Sequence, residues 1–104
     1  RSLVFDEVDN GVGGAVADAV GMRLSQLAEN TQVLVVTHSP QVAARAQKHF
    51  VVKKTTKEGK ASTSVSIVTK ESRTEEIARM ISGAKITDEA RAAADSLIEG
   101  GGTY

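Results

Sequence analysis

The sequence has no cysteine and no tryptophan, a single proline and a single tyrosine, and aromatic residues make up only 3% of it. Without cysteine there is neither a disulfide framework nor a thiolate metal site, and a reducing compartment is compatible with the chain. With so few rings, the core falls to Val, Ile, Leu and Ala. Long apolar runs are missing too. The stretch Val33 to Val36 is far too short to cross a bilayer, and Arg1-Ser2 leads into a strand pattern without the layout of a signal peptide. The expectation is a soluble, cytoplasmic protein with no membrane partner.

What is present is ordinary globular composition, 40% hydrophobic and 25% charged, and 104 residues suffice for one domain with a modest core. The net charge is zero but unevenly placed. Residues 1–44 carry two basic and five acidic groups, residues 45–73 eight and two, and residues 74–104 three and six. The cationic middle reads either as a solvated face or as an interaction surface, in which Lys53, Lys54, Lys57 and Lys60 meet DNA phosphates.

Ser2-Leu3-Val4-Phe5 is an apolar run that stops at Asp6-Glu7, the pattern of a buried parallel strand whose carboxyl end delivers polar residues to a site. A domain rarely opens on its central strand, so the chain is expected to begin inside a longer polypeptide. After the turn Asn10-Gly11-Val12-Gly13-Gly14, the spacing of Val16, Val20, Leu24 and Leu27 predicts an amphipathic helix ending near Asn30. Gln32 to Val36 predicts a second buried strand, and strand, helix, strand in that order needs a right-handed crossover between parallel strands.

Ser39-Pro40 reads as an N-cap with proline at the first helical position, predicting a helix from Pro40 to about Gln47. His49–Val52 and Thr63–Val68, with Lys57-Glu58-Gly59-Lys60 between them, predict an antiparallel hairpin near a sheet edge. Ser72 and Glu75 form a capping-box pattern before a helix through Ile77, Ala78, Met80 and Ile81, which Gly83 ends. Thr87-Asp88 starts a last helix with Ala90, Ala94, Leu97 and Ile98 inward. Residues 1–99 thus read as one α/β unit, and 100–104 as a flexible glycine-rich tail.

Two adjacent carboxylates at a strand end suit nucleotide hydrolysis. One, Asp6, holds a hydrated Mg²⁺ that neutralises phosphate charge, and the next, Glu7, orients and activates the attacking water. Acids that merely cap a strand at the surface give the same local pattern. The glycines of the Asp9-to-Gly14 stretch permit positive φ and close backbone approach, or else a plain tight turn. A dinucleotide fingerprint is excluded because its third glycine falls on Val16. His38, at the end of the second strand, opens on the same crevice as Asp6 and Glu7, where an imidazole can donate to a γ-phosphate or serve only as a structural hydrogen-bonding group. His49 has no such context. A metal site from His38 and His49 lacks a third ligand, and no G-x-S-x-G elbow occurs.

In order and approximate spacing these elements resemble those of an ABC-type ATPase: Walker B, D-loop and switch histidine. Three stretches resemble the RecN family of SMC-like DNA repair ATPases, and the similarity covers all but the glycine tail. They are Leu3-Val4-Phe5-Asp6-Glu7-Val8-Asp9 with its glycines, Thr37-His38-Ser39-Pro40-Gln41-Val42-Ala43-Ala44, and Glu76-Ile77-Ala78-Arg79-Met80-Ile81-Ser82-Gly83 followed by Ile86-Thr87.

The resemblance implies the C-terminal lobe of a P-loop, ABC/SMC-type ATPase head that hydrolyses ATP with Mg²⁺ in bacterial recombinational double-strand-break repair, in a cytoplasmic, nucleoid-associated setting. It assigns the Mg²⁺ contact to Asp6, the catalytic carboxylate to Glu7, the switch histidine to His38, and the interface with a second head to Asp9, Gly11, Gly13 and Gly14. The implied partners are the N-terminal half of the same head, a second head in an ATP-dependent homodimer, and DNA. A phosphate-cradling G-x-x-x-x-G-K-[ST] loop does not occur, since Gly59-Lys60 is followed by Ala61 and the first glycine position is Lys54, so the chain alone is expected to be inactive. A head of another SMC- or Rad50-like ATPase, and a non-catalytic DNA-binding module, remain alternatives.

Overall fold

The computed structural model describes residues 2–7, 11 and 13–101, which form β1 (Ser2–Asp6), α1 (Gly14–Leu27), β2 (Gln32–Val36), α2 (Pro40–Ala43), β3 (Phe50–Lys57), β4 (Lys60–Ile67), α3 (Arg73–Ser82) and α4 (Asp88–Gly101). The architecture is mixed α/β, with a parallel strand pair, an antiparallel hairpin and helices, as the sequence predicts, but among the described residues the hairpin forms a two-stranded sheet of its own and does not join the edge of the parallel pair. Among the described residues no helix is long and apolar enough to cross a membrane.

β1 and β2 pair in parallel from Ser2↔Gln32 to Asp6↔Val36, with α1 as the crossover. They are not the fully buried strands their composition suggests. Phe5, Val33 and Val35 pack on a cluster of Ala17, Leu24 and Val42. On the other face Val4, Leu34 and Val36 stay exposed, at 66%, 54% and 49%. Side chains alternate across a strand, so a single covering layer buries only every second residue.

α1 also turns differently from its apolar periodicity. Ala17, Gly21 and Leu24 form the buried face and Val20 is half-buried, whereas Val16 and Leu27 are exposed. The small residues win because α2 lies very close: a Cβ on Gly21 would stand 3.3 Å from the Val42 Cα and from the Gln41 carbonyl oxygen. Asp18 on the same helix accepts from Arg45 Nη2 at 2.8 Å, tying α1 to the segment after α2.

Ser39 caps α2 as expected, its Oγ accepting from the Val42 amide. The helix is shorter than the predicted Pro40-to-Gln47 run. Arg45 and Ala46 already bond to carbonyls three residues back, and the Arg73 Nη2, from a distant part of the chain, donates to the carbonyls of Ala43, Ala44 and Ala46 at 3.1, 2.9 and 2.6 Å. Those carbonyls find partners without a further helical turn.

α3 and α4 close a second core of Ala43, Ala44, Ile77, Ala78, Ala90 and Ala94, flanked by Met80, Ile86, Leu97 and Ile98. The predicted capping box is not formed. Ser72 lies in the helical region with no side-chain cap, its hydroxyl pairs with Thr69, and Glu75 instead accepts from Arg91 Nε at 2.6 Å. Gly83, at φ 80°, ends α3 as expected. Thr87 Oγ1 accepts from the Ala90 amide at the start of α4, which continues to Gly101, into the stretch read as a tail. Residues 102–104 lie outside the described residues.

The hairpin is longer than its β-branched cores suggest, pairing Phe50↔Ile67 through Lys57↔Lys60 without a break. Glu58 and Gly59 join it at φ 53° and 75°, both left-handed, which is the two-residue turn whose twist suits paired strands.

Candidate functional site

Because β1 and β2 run in parallel, their carboxyl ends open side by side, and the chain leaves each at a polar residue. The Glu7 amide donates to the Val36 carbonyl at 2.9 Å, extending the ladder one residue past the strand. Glu7 itself sits at φ 51°, a left-handed conformation that costs a residue with a Cβ and that structures retain chiefly where a turn or a site demands it. This turn carries its carboxylate to His38, with Glu7 Oε1 3.4 Å from His38 Nε2. The imidazole remains 89% exposed and the carboxylate 49% exposed, so both are open to an incoming ligand.

The segment holding His38 is locked by its own hydrogen bonds. Ser39 N donates to Thr37 Oγ1 at 2.9 Å, and Ser39 Oγ donates to Gln41 Oε1 at 3.0 Å. With its oxygen engaged, the Gln41 amide turns its nitrogen toward the glycine-rich start of α1, where Nε2 stands 3.1 Å from the place a Cβ on Gly14 would occupy. Gly13 is the extended N-cap of α1, its carbonyl accepting from the Ala17 amide, and Gly11 is exposed at φ 80°.

Glu7, His38, Gly11 and Gly14 meet around a cleft of about 420 Å³ that Ser39, Pro40 and Gln41 also line. Asp6 is adjacent but does not line the cleft. It stands at the end of β1 on the same face as Val4, the uncovered side of the sheet. Gly13 is also outside the lining, and Asp9 lies outside the described residues. Among the described residues no three His, Asp or Glu side chains gather as a metal-binding cluster.

Two contributors escape the spacing rules. Met80 and Ile81 of α3 form part of the cleft wall, more than seventy positions from Glu7, and the only sequence signal for them was the run from Glu76 to Gly83 that carried the family resemblance. His49 is not in the cleft. Burial lowers its pKa from the usual 6.5, Arg73 lowers it further and Glu76 opposes them, and its Nδ1 has no partner among the described residues.

Comparison with known proteins settles the ancestry. The chain is 48% identical over 98 residues to the DNA repair protein RecN of Xylella fastidiosa (strain Temecula1 / ATCC 700964), 55% identical over 82 residues to that of Deinococcus radiodurans, and 41% identical over 98 residues to that of Bacillus subtilis (strain 168). These alignments cover 94%, 79% and 94% of the chain.

The chain belongs to the RecN family.

It spans 18%, 14% and 17% of the length of those relatives. No family model matches the chain. A solved structure, described as "Structural biochemistry of ATP-driven dimerization and DNA stimulated activation of SMC ATPases", superposes with a TM-score of 0.62 at 17% identity, over 81% of this RecN-family chain and 50% of the other. The chain shares its fold with about half of that protein.

Proposed function

We propose that this chain is the hydrolytic part of a RecN-type, SMC-like ATPase head, which binds and hydrolyses ATP between two heads to act on DNA in recombinational double-strand-break repair in the cytoplasm. The observation that carries the reading is the convergence of Glu7 and His38, 3.4 Å apart at the ends of neighbouring parallel strands and beside the glycine-rich start of α1.

The residues present fit Mg²⁺ and ATP in part. Asp6 offers an exposed carboxylate next to the cleft, Glu7 and His38 offer an acceptor and a ring N–H to it, and among the described residues nothing lies within 4 Å of a Cβ built on Gly11. Bound Mg²⁺ supplies neutralisation of phosphate charge. Asp6 would supply the carboxylate that holds it. Glu7 orients the attacking water and accepts its proton, helped by a turn that aims the carboxylate across the cleft instead of along the strand. His38 donates its ring N–H to the terminal phosphate. Gly11, Gly13 and Gly14 face the second head, and the family resemblance assigns Asp9 to the same interface. The loop that cradles the phosphates comes from the N-terminal half of the head, and the apolar side of the sheet at Val4, Leu34 and Val36 supports such a covering layer.

The test separates the two neighbouring acids in the intact ATPase. Asp6→Ala is expected to weaken Mg²⁺-dependent ATP binding as well as turnover. Glu7→Gln is expected to keep binding, abolish turnover and accumulate the closed head dimer. Glu7→Gln hydrolysing ATP like the parent, or losing binding as fully as Asp6→Ala, would refute the division. The 104-residue chain alone is expected to show no turnover above its own Glu7→Gln form.

A further inference from the structure

The hairpin's two faces differ in chemistry. Residues alternate across a paired strand, and the unbroken register sorts one face as Phe50, Val52, Val65 and Ile67 at the base with Lys54, Thr56, Ala61 and Thr63 toward the tip, where Lys54 is the one cation. The other carries Lys53, Thr55, Lys57 and Lys60, with Ser62 and Ser64 directly opposite Thr55 and Lys53. All of these are exposed. The sequence presents Lys53, Lys54, Lys57 and Lys60 as one cationic run, whereas the fold places Lys54 on the apolar side.

Among the described residues no lysine of the hairpin enters an ion pair, although Arg45, Arg79 and Arg91 elsewhere each have a carboxylate. Glu58, the one acid of the hairpin, is in the turn and joins none of them. Lys57 and Lys60 sit directly opposite one another at the tip, an arrangement that destabilises a hairpin and that no ion pair offsets among the described residues. Unpaired ammonium groups interspersed with hydroxyl donors suit a polyanion with closely spaced phosphates. Lys53 and Lys57 stand about 13 Å apart along the strand, close to four base-pair rises of a duplex. No aromatic ring is on this face to stack a base, so recognition is confined to the backbone and indifferent to sequence.

We propose that the face of the hairpin bearing Lys53, Lys57 and Lys60, with Thr55, Ser62 and Ser64, is a docking surface for the phosphate backbone of double-stranded DNA, and that Lys54 takes no part. This inference rests on the DNA-binding part of the function proposed above. It requires nothing of Asp6, Glu7 or His38, so a duplex titration without nucleotide fails independently of the ATPase assignment.

The experiment measures binding of the chain to a fluorescent duplex over a series of salt concentrations. Replacing Lys53, Lys57 and Lys60 together by Gln is expected to reduce the magnitude of the log–log salt slope by about two to three, near 0.9 per lost phosphate contact. The matching triple Arg replacement is expected to keep the slope. Lys54→Gln is expected to leave the slope unchanged, and circular dichroism checks that each variant is folded. An unaltered slope in the triple Gln variant overturns the proposal. So does a Lys54→Gln effect equal to that of Lys57→Gln, absence of duplex binding by the parent, or binding to phosphatidylserine vesicles in preference to the duplex.

Discussion

Ile77 of α3 has no exposed surface, while Val65 of β4 is 63% exposed. Between them lies the main contrast in the molecule. The helices α2, α3 and α4 share a closed core of small residues, locked at its edge by Arg73 across three carbonyls. The parallel pair and the hairpin each bury one face at most and leave Val4, Leu34, Phe50, Val52 and Ile67 in the open. The closed core lies in the helical layer, and the strands leave apolar surface open and bring Glu7 and His38 together at the ends of the parallel pair. Burial, more than residue type, separates the part that holds the fold from the part that leaves its apolar side chains uncovered.

The sharpest way to break that contrast is a pair of truncations. Ile77→Ala removes a fully buried side chain from a core that has little room to relax, and is expected to cost about 2–5 kcal/mol in urea unfolding of the chain. Val65→Thr keeps the β-branch on an exposed position and is expected to change stability by less than about 0.5 kcal/mol. Equal effects would mean that the hairpin packs as tightly as the helices.

A second test addresses the seam between the two regions. Ala at position 21 would gain about 1 kcal/mol of helix propensity over glycine. Its Cβ would, however, stand 3.0 Å from Arg45 Cδ and 3.3 Å from the α2 backbone, and backbone cannot swing aside as a side-chain tip can. Gly21→Ala is expected to lose about 1 kcal/mol net, overpacking outweighing propensity. A gain in the unfolding midpoint would show that α2 yields.

The smallest expected effect sharpens the contrast through pH. Burial and then Arg73 depress the His49 pKa below 6.5, Glu76 partly opposing them. The unfolded chain therefore takes up a proton that the folded chain resists, so this contribution lowers stability as pH falls below about 6.5 and vanishes above it, where both states are neutral. His49→Gln is expected to flatten the fall of the urea midpoint as pH drops below about 6.5. An unchanged slope would assign acid sensitivity to the carboxylates.

The order of elements, the parallel pair, the hairpin and the meeting of His38 with the end of β1 were legible because a strand–helix–strand run fixes which ends lie together. What was not legible depended on partners distant in sequence. The buried face of α1 is set by the fit of Gly21 and Ala17 against α2, which hydrophobic spacing through Val16 and Leu27 misses. α2 ends early because Arg73 satisfies its carbonyls from nearly thirty residues away. Glu75, expected to close a capping box, is drawn off by Arg91. In the site, Met80 and Ile81 reach the cleft only through the packing of α3 against α2 and α4.

The parallel register of β1 with β2 also orders events in time. The hairpin turns on Glu58 and Gly59 and needs only local contact, so it is of the kind that forms in about 1–10 μs. Pairing Ser2 with Gln32 instead closes a loop of some thirty residues and needs α1 packed in between, a non-local step that pays its chain entropy before any contact rewards it. Glu7 is tied to the Val36 carbonyl and therefore meets His38 only after that closure. On a growing chain the acid emerges first and waits for the whole crossover to be made before it has a histidine to face.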